Sequence, residues 1–506
     1  MKFSALVLAL GLSFSVSIVK ADGKPLKQLY VNNYENVLGT SLEFKISSSS
    51  EKQVELAEQA ALTEINRLSA ILSSYDRNSE FNKWMTAGTN KSIKISAELF
   101  EMLNLFEQWK TKTNGALNIS ATVAGNLWAQ AEKKQKKPLK AELALAVSQM
   151  QEQHYSLNQG NLTATRLDNV PLAMNTFTKS YIINKACEAA LKVAKIDNIV
   201  INIGGDLVIK GDEKDLIYVT NPLASAENDL PLAKLNVGNN AVATSGNYRR
   251  GFQIGKEWYS HIINPKTAQP VNEIISATVI APSATDAGAL ATAFNVLSIN
   301  ESKELAKTVE GAAYLIVTKN GKIIESDNWK DYLVKEGHTL KTINTPTFFN
   351  QAEKPWDTKY ELIINFEFNA IQGNSHRPFV AIWVENDKRE PVRNLALMYN
   401  KTKWVPDLKN WYRINGERFK ADKENYASVT GATRNPGKYT IKWDGKDDNG
   451  NYVPQGNYTI IIETSKEHGT DEILRQPMEL KKSAKRETNA GNVEISNVVF
   501  DFVKKK

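Results

Sequence analysis

The feature that most limits how this chain can fold is a change of rhythm near Lys341. Before it, residues 28 to about 340 mix two periods. Apolar residues recur at helical spacing from Val54 to Leu72, with Leu62, Ile65, Leu68, Ile71 and Leu72 on one face. Helical patterns also fit Ala97 to Lys110, Lys179 to Lys195 and Ala287 to Leu297. Strand patterns fit Leu42 to Ile46, Ile199 to Ile203, Leu207 to Ile209, Tyr259 to Ile263, Ala277 to Ile280 and Ala313 to Val317. From Tyr360 onward helical periodicity almost vanishes. Short alternating runs recur instead: Glu361 to Phe368, Phe379 to Val384, Lys438 to Trp443, Asn457 to Glu463 and Val493 to Phe502. Two rhythms imply two cores. The expectation is an α+β domain over 28–340, with helices packed on sheets, then an all-β sandwich over 356–506. The join falls in 341–355, where Thr, Asn and Pro concentrate.

The N-terminus narrows the compartment. Met1-Lys2-Phe3 precedes an apolar stretch from Ala5 to Val19, and small residues close it at Ala21, so residues 1–21 read as a secretory signal peptide. The stretch falls short of the roughly 20 residues a spanning helix needs. The expected location is therefore exported, in the periplasm. With a single cysteine, Cys187, no internal disulfide can form, and the cores must supply the stability. Cys187 lies in a helical pattern, where a buried structural thiol is expected. The net charge of +7 is spread among many acids, and Lys133-Lys134-Gln135-Lys136-Lys137 carries no interleaved aromatics. That run reads as a solvated connector and gives no case for nucleic-acid binding.

Three clusters carry candidate chemistry. Asn202-Ile203-Gly204-Gly205-Asp206 follows a strand, so the backbone there can approach a ligand closely and Asp206 can accept from hydroxyls. A tight turn between strands explains the same residues without a ligand. Tyr259-Ser260-His261-Ile262-Ile263-Asn264-Pro265 places a histidine at a strand end, suited to a phosphate or a ring, or to a structural role. Ala281-Pro282-Ser283 leads into Asp286, Ala289, Leu290 and Thr292, a strand-to-helix turn suited to phosphate. Helix capping by Ser283 or Thr285 needs no ligand at all.

In combination and order, these segments resemble the ApbE-type FAD:protein FMN transferase family over about residues 28–335. The resemblance begins at Val37-Leu38-Gly39-Thr40 and continues through Glu64-Ile65-Asn66-Arg67-Leu68, Leu72-Ser73-Ser74-Tyr75 and Ser79-Glu80. It then runs through Gly115-Ala116-Leu117-Asn118-Ile119, Ala173 to Tyr181, Gly204-Gly205-Asp206, His261 to Pro265 and Leu290 to Ala293. It implies a domain that binds FAD and magnesium, moves FMN to a Ser or Thr hydroxyl of an exported protein as a phosphodiester, and releases AMP. By position, Tyr75 would stack on an FAD ring. Asn118, Ile119, Ser120 and Asp206 would line the cofactor site, and Lys179, His261 and Ile262 would touch FAD, with Lys179 and His261 in catalytic roles. Thr176 and Thr292 fall on metal-ligand positions, and Asp286, two residues before the place of the family's Asp, is the third candidate metal ligand.

The chain also departs from the family pattern. Gly288 stands where the family has its metal-binding Asp, and Ser180 where it has a Gly after the Lys. Ala173 replaces an Asp, and Asn264 replaces another. A glycine offers no carboxylate to a hard cation. Two readings follow: a divergent transferase, or a flavin-binding relative with weak turnover. The later domain resembles small exported Ig-like all-β domains, through Gly437 to Asp447, Gly450, Val453-Pro454 and Gly456-Asn457-Tyr458. Trp443 and Tyr458 are expected in its core. Thr430-Gly431-Ala432-Thr433 looks like the family's acceptor motif, which would make Thr433 the residue that carries FMN. A plain loop turn is the favoured account of it, since four residues are not specific and Ala427 stands where the motif usually has an Asp.

Overall fold

The computed structural model describes residues 27–334, 354–370, 377–421, 426, 429–467 and 471–505. The leader 1–21, residue 427 and nearly all of the expected linker 341–355 lie outside the described residues. No described helix is long and apolar enough to cross a membrane.

The first domain is built on an eight-stranded sheet. Its strands run in the order Gln28–Val37, Thr40–Ser48, Asn198–Ile203, Asp206–Gly211, Ala241–Gly246, Ile274–Ala281, Ala313–Thr318 and Ile323–Glu325. Every pairing is antiparallel, which settles the domain as α+β. The pleat sorts the run Ile199 to Ile203 by face. Ile199, Ile201 and Ile203 join Phe44, Ala277 and Val279 in the main core. Val200 points the other way, with Ile209, Ile280 and Trp329.

Helices Glu51–Leu72, Thr178–Val193 and Ala284–Val296 cover the main-core face. The first buries Val54, Ala57, Ala61, Ile65, Leu68 and Leu72. Leu62 and Ile71, expected on that face, flank it and are half-buried. Burying each Leu or Ile is worth about 2 kcal/mol. The expected strand Tyr259 to Ile263 is interrupted. Glu257–Ser260 and Ile263–Asn264 pair with different partners, and His261 sits in the break between them.

The second domain is a sandwich. Strands Gly437–Trp443, Tyr360–Phe368, Ile495–Lys504 and Lys485–Gly491 form one sheet, and Thr430–Gly431, Pro391–Met398, Phe379–Asn386, Gly456–Ser465 and Asp471–Leu480 the other. Leu362, Ile364 and Phe500 meet Ile382, Ile460 and Ile462 between them. Trp443 and Tyr458 lie in this core, ring centroids 5.2 Å apart. A helix, Lys409–Ala421, adds a feature that strand patterning did not foresee. Trp411 and Phe419 from it pack on Phe379, Ala381 and Trp383, so strand Phe379–Asn386 is buried on both faces and reads as an unbroken apolar run. The acidic segment Asp444 to Gly450 forms a hydrogen-bonded turn. Asp447 accepts from the backbone N–H groups of Asn449 (2.9 Å) and Asn451 (2.8 Å), and Asp448 from that of Asn394 (2.9 Å).

The sandwich docks on the first domain's edge strand, where an unpaired ladder would otherwise be exposed. Asn33 N–H donates to the Asn400 carbonyl, and Thr402 Oγ1 to the Val31 carbonyl at 2.6 Å. Arg377 Nε meets Glu35 at 3.0 Å, and the Thr433 hydroxyl donates to the other oxygen of the same carboxylate. A second seam joins the Glu227 N–H to the Thr440 carbonyl at 2.9 Å, and Asn228 to both backbone groups of Lys442.

Candidate functional site

The site grows from three loops tied together by backbone hydrogen bonds. The Ala173 N–H donates to the Ile119 carbonyl at 2.9 Å, and the Met174 N–H to Ser74 Oγ at 2.8 Å. These bonds gather the Tyr75 turn, the Asn118 loop and the lead-in to the Thr178 helix. Phe106 and Phe177 stack beneath them with centroids 4.5 Å apart. Tyr75 projects from its turn 82% exposed, an aromatic face with little packed against it. Asn118, Ile119 and Ser120 are buried instead. The Asn118 amide donates to the Met150 carbonyl (2.7 Å), and its carbonyl oxygen accepts from Ser120 Oγ (2.7 Å) and Ser120 N (2.9 Å). Their polar atoms shape the loop and are already engaged.

The second wall is the Gly204-Gly205 turn. Both glycines have positive φ, 63° and 102°, which side-chain-bearing residues rarely adopt. A Cβ on Gly204 would lie 3.0 Å from Thr40, so the Leu38-Gly39-Thr40 hairpin closes directly on this turn. The turn aims Asp206 at the Thr178 helix, where Ser180 Oγ donates to Asp206 Oδ2 at 2.8 Å. Burial pushes the Asp206 carboxyl up to about 6, against the pull of the Ser180 hydrogen bond and the Lys179 charge.

Lys179 lies in the same group. Its pKa is lowered first by burial and then by the Arg250 guanidinium, with Asp206 opposing. Arg250 connects Lys179 to His261. The His261 N–H donates to the Arg250 carbonyl at 3.2 Å, and its Nδ1 to the same oxygen at 3.0 Å. Nδ1 therefore carries the proton, and the neutral ring keeps a lone pair on Nε2. Desolvation lowers the His261 pKa, and the Arg250 charge acts in the same direction. Ile262 is buried behind it, its N–H on Ser260 Oγ at 3.0 Å. The sequence reading missed Arg249 and Arg250. The signal was available as a basic pair just past the strand end at Gly246.

Of the three expected metal ligands, only Asp286 carries a carboxylate. The Asp286 carboxyl is raised by burial, and its other influences are Lys112 and Ser283, neither of them in the Lys179 group. Thr292 Oγ1 donates to the Gly288 carbonyl of its own helix at 3.1 Å. Thr176 is half-buried in the bend before the Thr178 helix. Gly288 is buried against Ser180, and a Cβ there would collide with Ser180 Oγ and come within 3.1 Å of Ser180 Cβ and 3.3 Å of Phe177 Cβ. No three His, Cys, Asp or Glu side chains among the described residues could hold a metal ion together. The residues here do not fit the magnesium that the resemblance implies.

Thr433, the expected acceptor, is 3% exposed, its hydroxyl turned onto Glu35 in the domain seam. The seam approaches the Arg249-Arg250 loop, since the charges of Arg434, Glu227, Arg377 and Arg249 all bear on Tyr439 of the sandwich.

Comparison with known proteins agrees with this architecture. The model of the ApbE family matches residues 38–316, and that of "Predicted periplasmic protein (DUF2271)" matches residues 361–497. A FAD:protein FMN transferase of Haemophilus influenzae is 27% identical over 339 residues, covering 64% of this chain and 94% of its own length. One of Vibrio cholerae is 25% identical over 335 residues, covering 63% and 97%. The crystal structure of the ApbE protein of Thermotoga maritima superposes with a TM-score of 0.55 at 25% identity, covering 61% of this chain and all (100%) of that one.

Proposed function

The chain belongs to the ApbE family, and from that premise we propose that its first domain binds FAD and transfers the FMN half to a Ser or Thr hydroxyl of an exported protein. In this reading the acceptor oxygen bonds to the phosphorus of the FMN half, the bond from that phosphorus to the AMP phosphate breaks, and AMP leaves. Lys179 and Arg250 hold the pyrophosphate and offset the charge that builds on the leaving phosphate. The Nε2 lone pair of His261 takes the hydroxyl proton. Tyr75 stacks on a ring of the dinucleotide. Asp206, held by Ser180, accepts from a ribityl or ribose hydroxyl. No divalent ion enters this scheme.

What supports the reading is that Ser180 of the Thr178 helix bonds Asp206, that the Asp206 and Arg250 charges both bear on Lys179, and that His261 is bonded to the Arg250 carbonyl. The apolar leader and the periplasmic family at the C-terminus support export. The acceptor is a separate exported chain while the seam stays closed, because the Thr433 hydroxyl faces Glu35. The packing of Gly288 on Ser180 favours a second reading, in which the domain holds FAD without turning it over.

Incubating the full chain with FAD and an acceptor-motif peptide, and following AMP release and intact mass, separates the two. One FMN added to the peptide and one AMP released, both lost in Lys179→Ala, supports transfer. Bound FAD with no AMP released rejects transfer and leaves the holding role. Mass gained on the chain itself and lost in Thr433→Ala would make the sandwich the acceptor.

A further inference from the structure

We infer that this site binds the FAD pyrophosphate with fixed side-chain cations, Lys179 and Arg250, and has closed the place where a divalent ion would sit. The inference rests on the flavin reading above and extends it to how the dinucleotide's charge is met.

Two substitutions that look independent along the chain touch in space. Gly288 lies on the buried face of the Ala284 helix, and Ser180 stands against it from the Thr178 helix. A carboxylate-bearing residue at 288 needs a Cβ, and Ser180 occupies that volume. Ser180 in turn is fixed by its 2.8 Å hydrogen bond to Asp206, so it cannot swing aside without leaving a buried carboxyl short of a partner. The helix carbonyl that Thr292 Oγ1 meets at 3.1 Å already occupies that hydroxyl.

The positive charge around Asp206 comes from side chains. Among the described residues, Lys179, Arg249 and Arg250 form no salt bridge. The Arg250 charge bears on Lys179 in the sense opposite to the Asp206 carboxylate, and Asp206 is held to the same helix by Ser180. Two like charges near a single carboxylate leave a net positive potential, and a diphosphate relieves it. A guanidinium supplies paired donors to phosphate oxygens, and an ammonium supplies a point charge beside them.

The test titrates the full chain with FAD, following flavin fluorescence, once with excess magnesium and once with EDTA. Affinities that agree within about threefold support the inference, and a larger gain with magnesium overturns it. No FAD binding in either condition brings down the flavin reading together with this inference, whereas binding that disappears in EDTA brings down this inference alone. A second measurement probes the closure through thermal unfolding of the unliganded protein. Gly288→Asp should lower Tm by about 4 °C or more, and Ser180→Gly combined with Gly288→Asp should recover most of that loss. Equal Tm in wild type and Gly288→Asp, or no recovery in the double variant, overturns the claim that Ser180 keeps a carboxylate out.

Discussion

The Lys179 cleft and the Glu35 seam use the same chemical vocabulary to opposite ends. In the seam, Arg377, Glu35 and the Thr433 hydroxyl saturate one another, and Arg434 meets Glu227 at 3.3 Å. Around Lys179, the Arg250 charge opposes that of Asp206, and Asp206 accepts from the Ser180 hydroxyl. Saturated charges hold two domains in register and leave little affinity for a ligand. Unsaturated ones cost stability in the free protein and regain it when an anion arrives. The contrast separates the part of the molecule that assembles it from the part proposed to act.

The comparison can be broken by changing one side and reading the other. The largest effect belongs to Lys179→Ala: AMP release from FAD should fall by about 100-fold or more, with Tm unchanged or slightly raised. If that variant keeps its rate, the cleft is not where the phosphate is held. Next, Glu35→Ala strips the partner from Arg377, whose side chain is only 9% exposed, and should cost about 2 kcal/mol of stability. FAD affinity in that variant should stay within about twofold of wild type, since the seam contributes assembly alone. Equilibrium denaturation and flavin titration on the same sample measure both sides. Third, Arg250→Ala should weaken FAD binding by about tenfold, and riboflavin, which has no phosphate, should not register the change. A parallel loss for riboflavin would mean that Arg250 supports the loop and not the pyrophosphate.

The smallest effect is a pH dependence. Asp206 rises from 3.8 to about 6 on folding, so the folded protein binds the extra proton between those values. Stability is greatest below the unfolded pKa and falls as pH climbs through about 6. Asp206→Asn should flatten that decline, a difference of about 3 °C in Tm between the acid and neutral ends. Unchanged slopes in wild type and variant would show that the carboxyl titrates normally.

Much of this was readable before any coordinates. The helix Glu51–Leu72, the buried strand Asn198–Ile203 and the shift to strands alone after Tyr360 follow from spacing that repeats within a few residues. The Lys179, Asp206 and His261 segments stood out because glycines, a proline turn and a helix start punctuate them. The helix Lys409–Ala421 escaped because its residues carry Lys, Asn, Arg and Glu among few apolar positions, and its buried face is made mostly by Trp411 and Phe419. Arg250 escaped because one arginine on an exposed loop differs from any other until its neighbours are known.

The chain alone determined two cores, their order and the residue types available for chemistry, because periodicity and punctuation are local properties. Tertiary structure alone decided that Gly288 and Ser180 share one volume, that Asp286 falls outside the Lys179 group, and that Thr433 is turned onto Glu35. Those facts depend on close packing between segments far apart along the chain. Whether a carboxylate fits there is set by contacts between side chains of different helices, which no local pattern encodes.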